Sequence, residues 1–169
     1  MPATVTDSKP VGIPIDQGTV TRLVASFEYL RSHSDQFGAT FYKLLFERYP
    51  AVKGMFPVDM SAQQRKLVET LGTVVDHLQE PARVLRILVD LGKRDVGYGA
   101  RPEQYPLGCW IMVEAIADLS ARSGAPWGPT IAGEWATALE LISEIMMSGA
   151  GQIPVTRVSS QTAVQPRDR

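Results

Sequence analysis

Apolar side chains recur along this chain at three- and four-residue intervals, and no segment alternates apolar and polar positions. The first pattern is the signature of helices with one buried face; the second would have meant strands. Prolines set the limits, because a proline inside a helix removes a hydrogen bond and clashes with the preceding turn. The proline-free stretches are 15–49, 58–80, 82–101, 107–125 and 130–153. Val20, Leu23, Val24, Phe27 and Leu30 make one stripe. Ser34-Asp35 then offers an N-cap for a second helix carrying Phe37, Phe41, Leu44 and Leu45, which Pro50 stops. Residues 51–60, with Phe56 and Pro57, read as a short connection.

Ser61 followed by Gln64 has the spacing of a capping box, and Leu67, Val68, Leu71, Val75 and Leu78 continue that helix. Val84, Ile87, Leu88 and Leu91 form the next stripe, broken by Gly97 and Gly99. Met112, Val113, Ile116 and Leu119 mark another helix. Gly124, Pro126, Gly128 and Pro129 form a turn, and Trp135, Leu139, Ile142 and Met146 mark the last helix. The expected architecture is a single all-α domain of about six or seven helices spanning 17–148. Residues 1–16 and 149–169 are aperiodic and polar, and are expected to be mobile tails.

The composition narrows the function classes. With 169 residues, 44% hydrophobic and 21% charged, the chain has enough material for one real core. Its 17 basic and 18 acidic residues leave a net charge of −1, so no nucleic-acid footprint is present. No apolar run approaches the ~20 residues of a membrane span. The start, MPATVTDSKPVGIPIDQG, lacks the order of a signal peptide, so a cytoplasmic protein is expected. The single Cys109 excludes an internal disulfide or a multi-cysteine metal site. Phosphate-loop, zinc-protease and nucleophile-elbow motifs are absent, and Gly97-Tyr98-Gly99 follows a helix rather than a strand. Of the two histidines, His33 reads as a helix-end cation, and His77, off its helix's apolar stripe, as a solvated residue. Trp110 and Trp127 lie off the main stripes and hint at an interface.

Three segments, FYKLLFERYP at 41–50, VKGMF at 52–56 and RPEQYP at 101–106, together resemble the globin domain of flavohaemoglobins and related single-domain bacterial globins over about 19–148. The resemblance implies a globin-like fold, haem b as cofactor and a diatomic gas as ligand. It implies that Tyr42 and Gln64 line the distal side, with Val68 one turn on, that Phe56 packs on the haem, and that Tyr105 orients a proximal histidine. Read for themselves, Tyr42 and Phe56 are also plain core candidates, Gln64 a capping residue and Tyr105 a helix-start packing residue.

The histidine implied by the resemblance falls at position 95, where this sequence has Asp95, and no histidine lies anywhere in 82–106. A late-helix glutamate is also not evident near 150. The chain stops soon after its last helix, so no FAD- or NAD-binding part and no self-reducing enzyme are expected. Asp95 shares the stripe of Ile87, Leu88 and Leu91, where an unpaired carboxylate is costly. It pairs with Arg94, Arg101 or Tyr105, turns outward, or ligates iron itself.

Two readings follow. In one, the chain keeps haem with an altered or lost proximal ligand, coordinated from an unusual side by Tyr42, His77 or Cys109, and is not a conventional oxygen carrier. In the other, it is a haem-free globin-fold sensory or interaction module, with a small apolar ligand and a homodimeric or signalling partner.

Overall fold

The computed structural model describes residues 15–97 and 101–149. The tails, Gly99 and Tyr98 lie outside the described residues, apart from 15, 16 and 149. Six α-helices follow one another: α1 Gln17–Ser32, α2 Ser34–Arg48, α3 Ser61–Asp76, α4 Pro81–Gly97, α5 Gln104–Ser123 and α6 Pro129–Gly149. A 3₁₀ segment, Pro50–Met55, links α2 to α3, and no strand occurs among the described residues. Pro81 and Pro129 open their helices at positions whose N–H has no partner within the helix, so the missing donor costs nothing there.

Each helix buries the stripe its sequence announces. Phe27, Leu30, Phe37, Val84, Leu88, Ile116 and Leu119 are fully enclosed, and Trp135 is almost so. Its indole N–H donates to Ser26 Oγ at 3.0 Å, so the polar end of that large side chain is satisfied. The principal packing pairs are α4 with α6, α2 with α5, α5 with α6 and α2 with α3.

Two crossings depend on missing side chains. A Cβ on Gly92 would land on the Met146 carbonyl, and one on Gly149 would land on the Val89 carbonyl, so α4 and α6 approach backbone to backbone. A Cβ on Gly38 would sit 2.9 Å from Gln64 Cβ and 3.0 Å from the Gln64 carbonyl oxygen, which fixes the register of α2 on α3.

Two predicted caps are corrected. Ser34 is the first residue of α2, not its cap; only His33 separates α1 from α2, and its side chain makes no capping bond. The Ser61–Gln64 box does not form either. The Asp59 carboxylate accepts the Ser61 N–H at 3.0 Å, and the Gln64 N–H donates to the Met60 carbonyl at 2.8 Å. Asp59 is also a capping residue type, and its position two residues earlier lets its oxygen reach the first turn. At α1 the cap is Asp16, whose carboxylate accepts from Thr19 N at 3.0 Å and Thr19 Oγ1 at 2.7 Å.

Candidate functional site

The helices leave a cavity of about 660 Å³ between α2, α3, α4, α5 and α6, roofed by the 3₁₀ segment and the Phe56-Pro57 turn. That volume is in the range of a pocket for a large organic ligand. Its walls are mostly apolar: Phe41 and Leu45 from α2, Leu67, Leu71 and Val74 from α3, Leu88 and Leu91 from α4, Met112 from α5, and Leu139, Ile142 and Met146 from α6.

The polar lining groups sit on a few elements. Tyr42, on α2, is buried, and its hydroxyl oxygen accepts a hydrogen bond from Gln63 Nε2 at 3.2 Å. Its ring is gripped by three others, with centroids 5.0 Å from Phe41, 5.5 Å from Phe56 and 6.0 Å from Phe46. Edge-on contacts to Phe41 and Phe56 suit the ring quadrupoles and hold the phenol in one orientation. Burial pushes the Tyr42 phenol up, and the Gln63 amide opposes that shift.

Asp95 on α4 also lines the cavity. Desolvation raises its carboxyl above the usual carboxylate range, and the Lys66 ammonium charge and the Tyr105 hydroxyl pull it back. Tyr105 on α5 is pushed up to about 12, first by burial and then by the neighbouring Asp95 charge. Its buried hydroxyl faces Asp95 without closing a well-formed hydrogen bond. Cys109, one helical turn beyond Tyr105, lines the same wall, and its thiol donates to the Leu139 carbonyl at 3.1 Å. Burial raises that thiol to about 11, so it is not a thiolate at neutral pH.

The cavity therefore gathers four of the six expected site residues: Tyr42, Phe56, Asp95 and Tyr105. Gln64 and Val68 do not line the cavity; Gln63 and Leu67 stand there, one position earlier on α3. The physical reason is the Gly38 crossing, which seats Gln64 against α2, while Val68 is buried in the core below. Lys66, which acts on Asp95 from α3, was not singled out in the sequence, where it reads as one more surface lysine.

Both histidines are accounted for elsewhere. His77 Nδ1 lies 2.7 Å from the Thr73 carbonyl, and His33 Nδ1 lies 3.0 Å from the Tyr29 carbonyl, with its ring stacked on Tyr29. Each histidine is thus tied to the helix it follows, and neither lines the cavity. Among the described residues no cluster of three or more metal-ligating side chains occurs.

The fit to haem can be stated from these groups. The volume and apolar walls suit a porphyrin, and the polar groups that line the cavity include the Tyr42 phenol oxygen and the Asp95 carboxylate. The lining contains no imidazole. The residues therefore fit the macrocycle but give its iron no histidine.

The globin family profile matches residues 39–146, most of the described helices. The chain is 24% identical to a flavohemoprotein of Rhizobium meliloti over 135 residues, covering 78% of this chain and 33% of that protein. It is 22% identical to a globin-like protein of Aquifex aeolicus over 137 residues, covering 79% of this chain and 93% of that one. The chain thus spans about a third of the length of the flavohemoprotein and nearly all of the Aquifex protein. In three dimensions it superposes on a bacterial globin from Campylobacter jejuni with a TM-score of 0.69 at 16% identity, covering 81% of this chain and 97% of that one. No described helix is long and apolar enough to cross a membrane. The match covers well over half the chain and the fold agrees with it: this protein belongs to the globin family.

Proposed function

We propose that this globin holds haem in its cavity through packing and polar contacts, without a histidine–iron bond, and serves as a haem-based sensor of a diatomic gas or of redox state rather than as an oxygen store. The observation that supports this reading is a 660 Å³ apolar cavity that keeps Tyr42, Phe56 and Tyr105 but has no imidazole in its lining. When bound, haem supplies a redox-active iron with room for a small gas.

The chain's own residues do the rest. Phe56, Leu67, Leu71 and Ile142 give the cavity apolar walls, which lower the local dielectric and strengthen the polar contacts beside them. Gln63 fixes the direction of the Tyr42 hydroxyl. By the resemblance, Asp95 takes the position from which a nitrogen donor would bind iron, and a reversible oxygen carrier depends on that bond. That reading argues against storage or transport of oxygen.

The test is a titration of hemin into the purified chain, followed by absorption. A sharp Soret band that saturates at one haem per chain is the expected result. A spectrum that stays that of free hemin at every ratio would contradict it. That second outcome would favour a haem-free module with a small apolar ligand, a reading supported by Asp95 itself, because a chain that binds no iron needs no nitrogen donor at that position.

A further inference from the structure

A haem iron in a protein is gripped by a short menu of donors: imidazole, thiolate, thioether paired with imidazole, or phenolate. No imidazole lines this cavity. Its single thiol is occupied as a donor to the Leu139 carbonyl. The Tyr105 phenol faces Asp95 directly, and that carboxyl opposes a second negative charge there; the same charge also bears on Tyr42, but behind burial and the Gln63 amide. The Asp95 carboxylate is not a donor type on the menu, and it is already engaged by the charge of Lys66.

Tyr42 differs from these. Its oxygen receives an amide N–H from Gln63 at 3.2 Å, a contact that supports negative charge on the oxygen. Its ring is immobilised by Phe41, Phe46 and Phe56, so the oxygen is held in one place before any ligand arrives.

Resting on the haem reading above, we propose that Tyr42 is the axial ligand of ferric haem in this chain, bound through its phenolate oxygen, so that the iron is held from the α2–α3 side rather than from α4. The step balances simply. The phenol O–H bond breaks, an oxygen–iron bond forms, the proton leaves to solvent and the iron stays ferric. Burial disfavours the phenolate in the free chain, but a bound cation supplies the compensating charge and deprotonates its own ligand. A ferric, phenolate-held iron has little affinity for oxygen, which turns the loss of histidine into a change of function.

The experiment loads the full chain with hemin and records electron paramagnetic resonance and resonance Raman spectra. The native chain is expected to give high-spin ferric signals with tyrosinate vibrations enhanced through a phenolate-to-iron charge-transfer band. Loading is expected to release one proton per haem. Tyr42→Phe removes only the oxygen; it should abolish the tyrosinate vibrations and weaken hemin binding roughly tenfold or more. Tyr49→Phe, which removes a third phenol that lines the cavity, Tyr105→Phe and Asp95→Asn should keep the vibrations. Stoichiometric hemin binding by the native chain without tyrosinate vibrations would overturn the assignment while leaving the haem reading intact, and so would their survival in Tyr42→Phe. No saturable hemin binding by the native chain would overturn both. The native spectrum decides the question even where a variant folds poorly.

Discussion

Asp95 brings a desolvated carboxyl into the lining of the cavity. In the folded chain that carboxyl holds its proton above the usual carboxylate range. As pH rises through that window, the unfolded chain ionises before the folded one, so the folded state loses stability and does not regain it at neutral pH. Asp95→Asn keeps the shape and cannot ionise. In the haem-free chain it should therefore melt higher than the native protein at pH 7, with the gap closing as the pH approaches the unfolded carboxyl value. Equal melting temperatures across that range would mean that the carboxyl is well solvated. The same residue shows what the sequence can convey. Its place on the Ile87–Leu91 stripe announces an inward carboxylate, and Tyr105 was among its expected partners. Lys66 was not, because only the packing of α3 opposite α4 brings its charge to bear.

The six helices were legible because prolines and apolar stripes act locally. The register of α3 was not. Gln64 and Val68 share a helical face with Leu71 and Val75, and Gln63 and Leu67 share an adjacent face with Thr70 and Val74. Both faces are apolar enough to be buried, and Leu71 and Val74, one from each, both reach the cavity, whereas Gln63 and Leu67 line it and Gln64 and Val68 do not. The choice between them is made by a glycine on another helix, Gly38, which no pattern within α3 records. The α4–α6 crossing is decided in the same way. Gly92 lets α4 touch the α6 backbone, and α4 carries Leu88, Leu91 and Asp95 into the cavity. Gly92→Ala must push those helices apart, since the obstructing atoms are backbone. The expected cost is about 3 kcal/mol, at the upper end for overpacking, together with weaker hemin binding. Chemical denaturation measures the first and titration the second. A cost below ~1 kcal/mol would mean that the crossing is looser than described.

At the scale of the molecule, a globin fold encloses an apolar cavity whose lining holds no imidazole. The apolar walls come from five helices, so no single substitution removes the space. The iron bond, by contrast, is a one-residue property, and that is why a family fold can persist while its usual ligand does not. Side chains that contact each other only across the fold, such as Arg48 with Glu114 at 2.8 Å and Arg31 with Asp76 at 2.6 Å, staple the helices at exposed positions and contribute little stability each. The central claim is that position 95 faces the cavity and withholds a histidine from haem. Equilibrium hemin titrations of the native chain and of Asp95→His, side by side, test it most directly. The account predicts one haem per chain in both, with binding to Asp95→His tighter by roughly tenfold or more and an absorption spectrum shifted to that of a histidine-ligated haem. Identical affinities and identical spectra for the two proteins would contradict it.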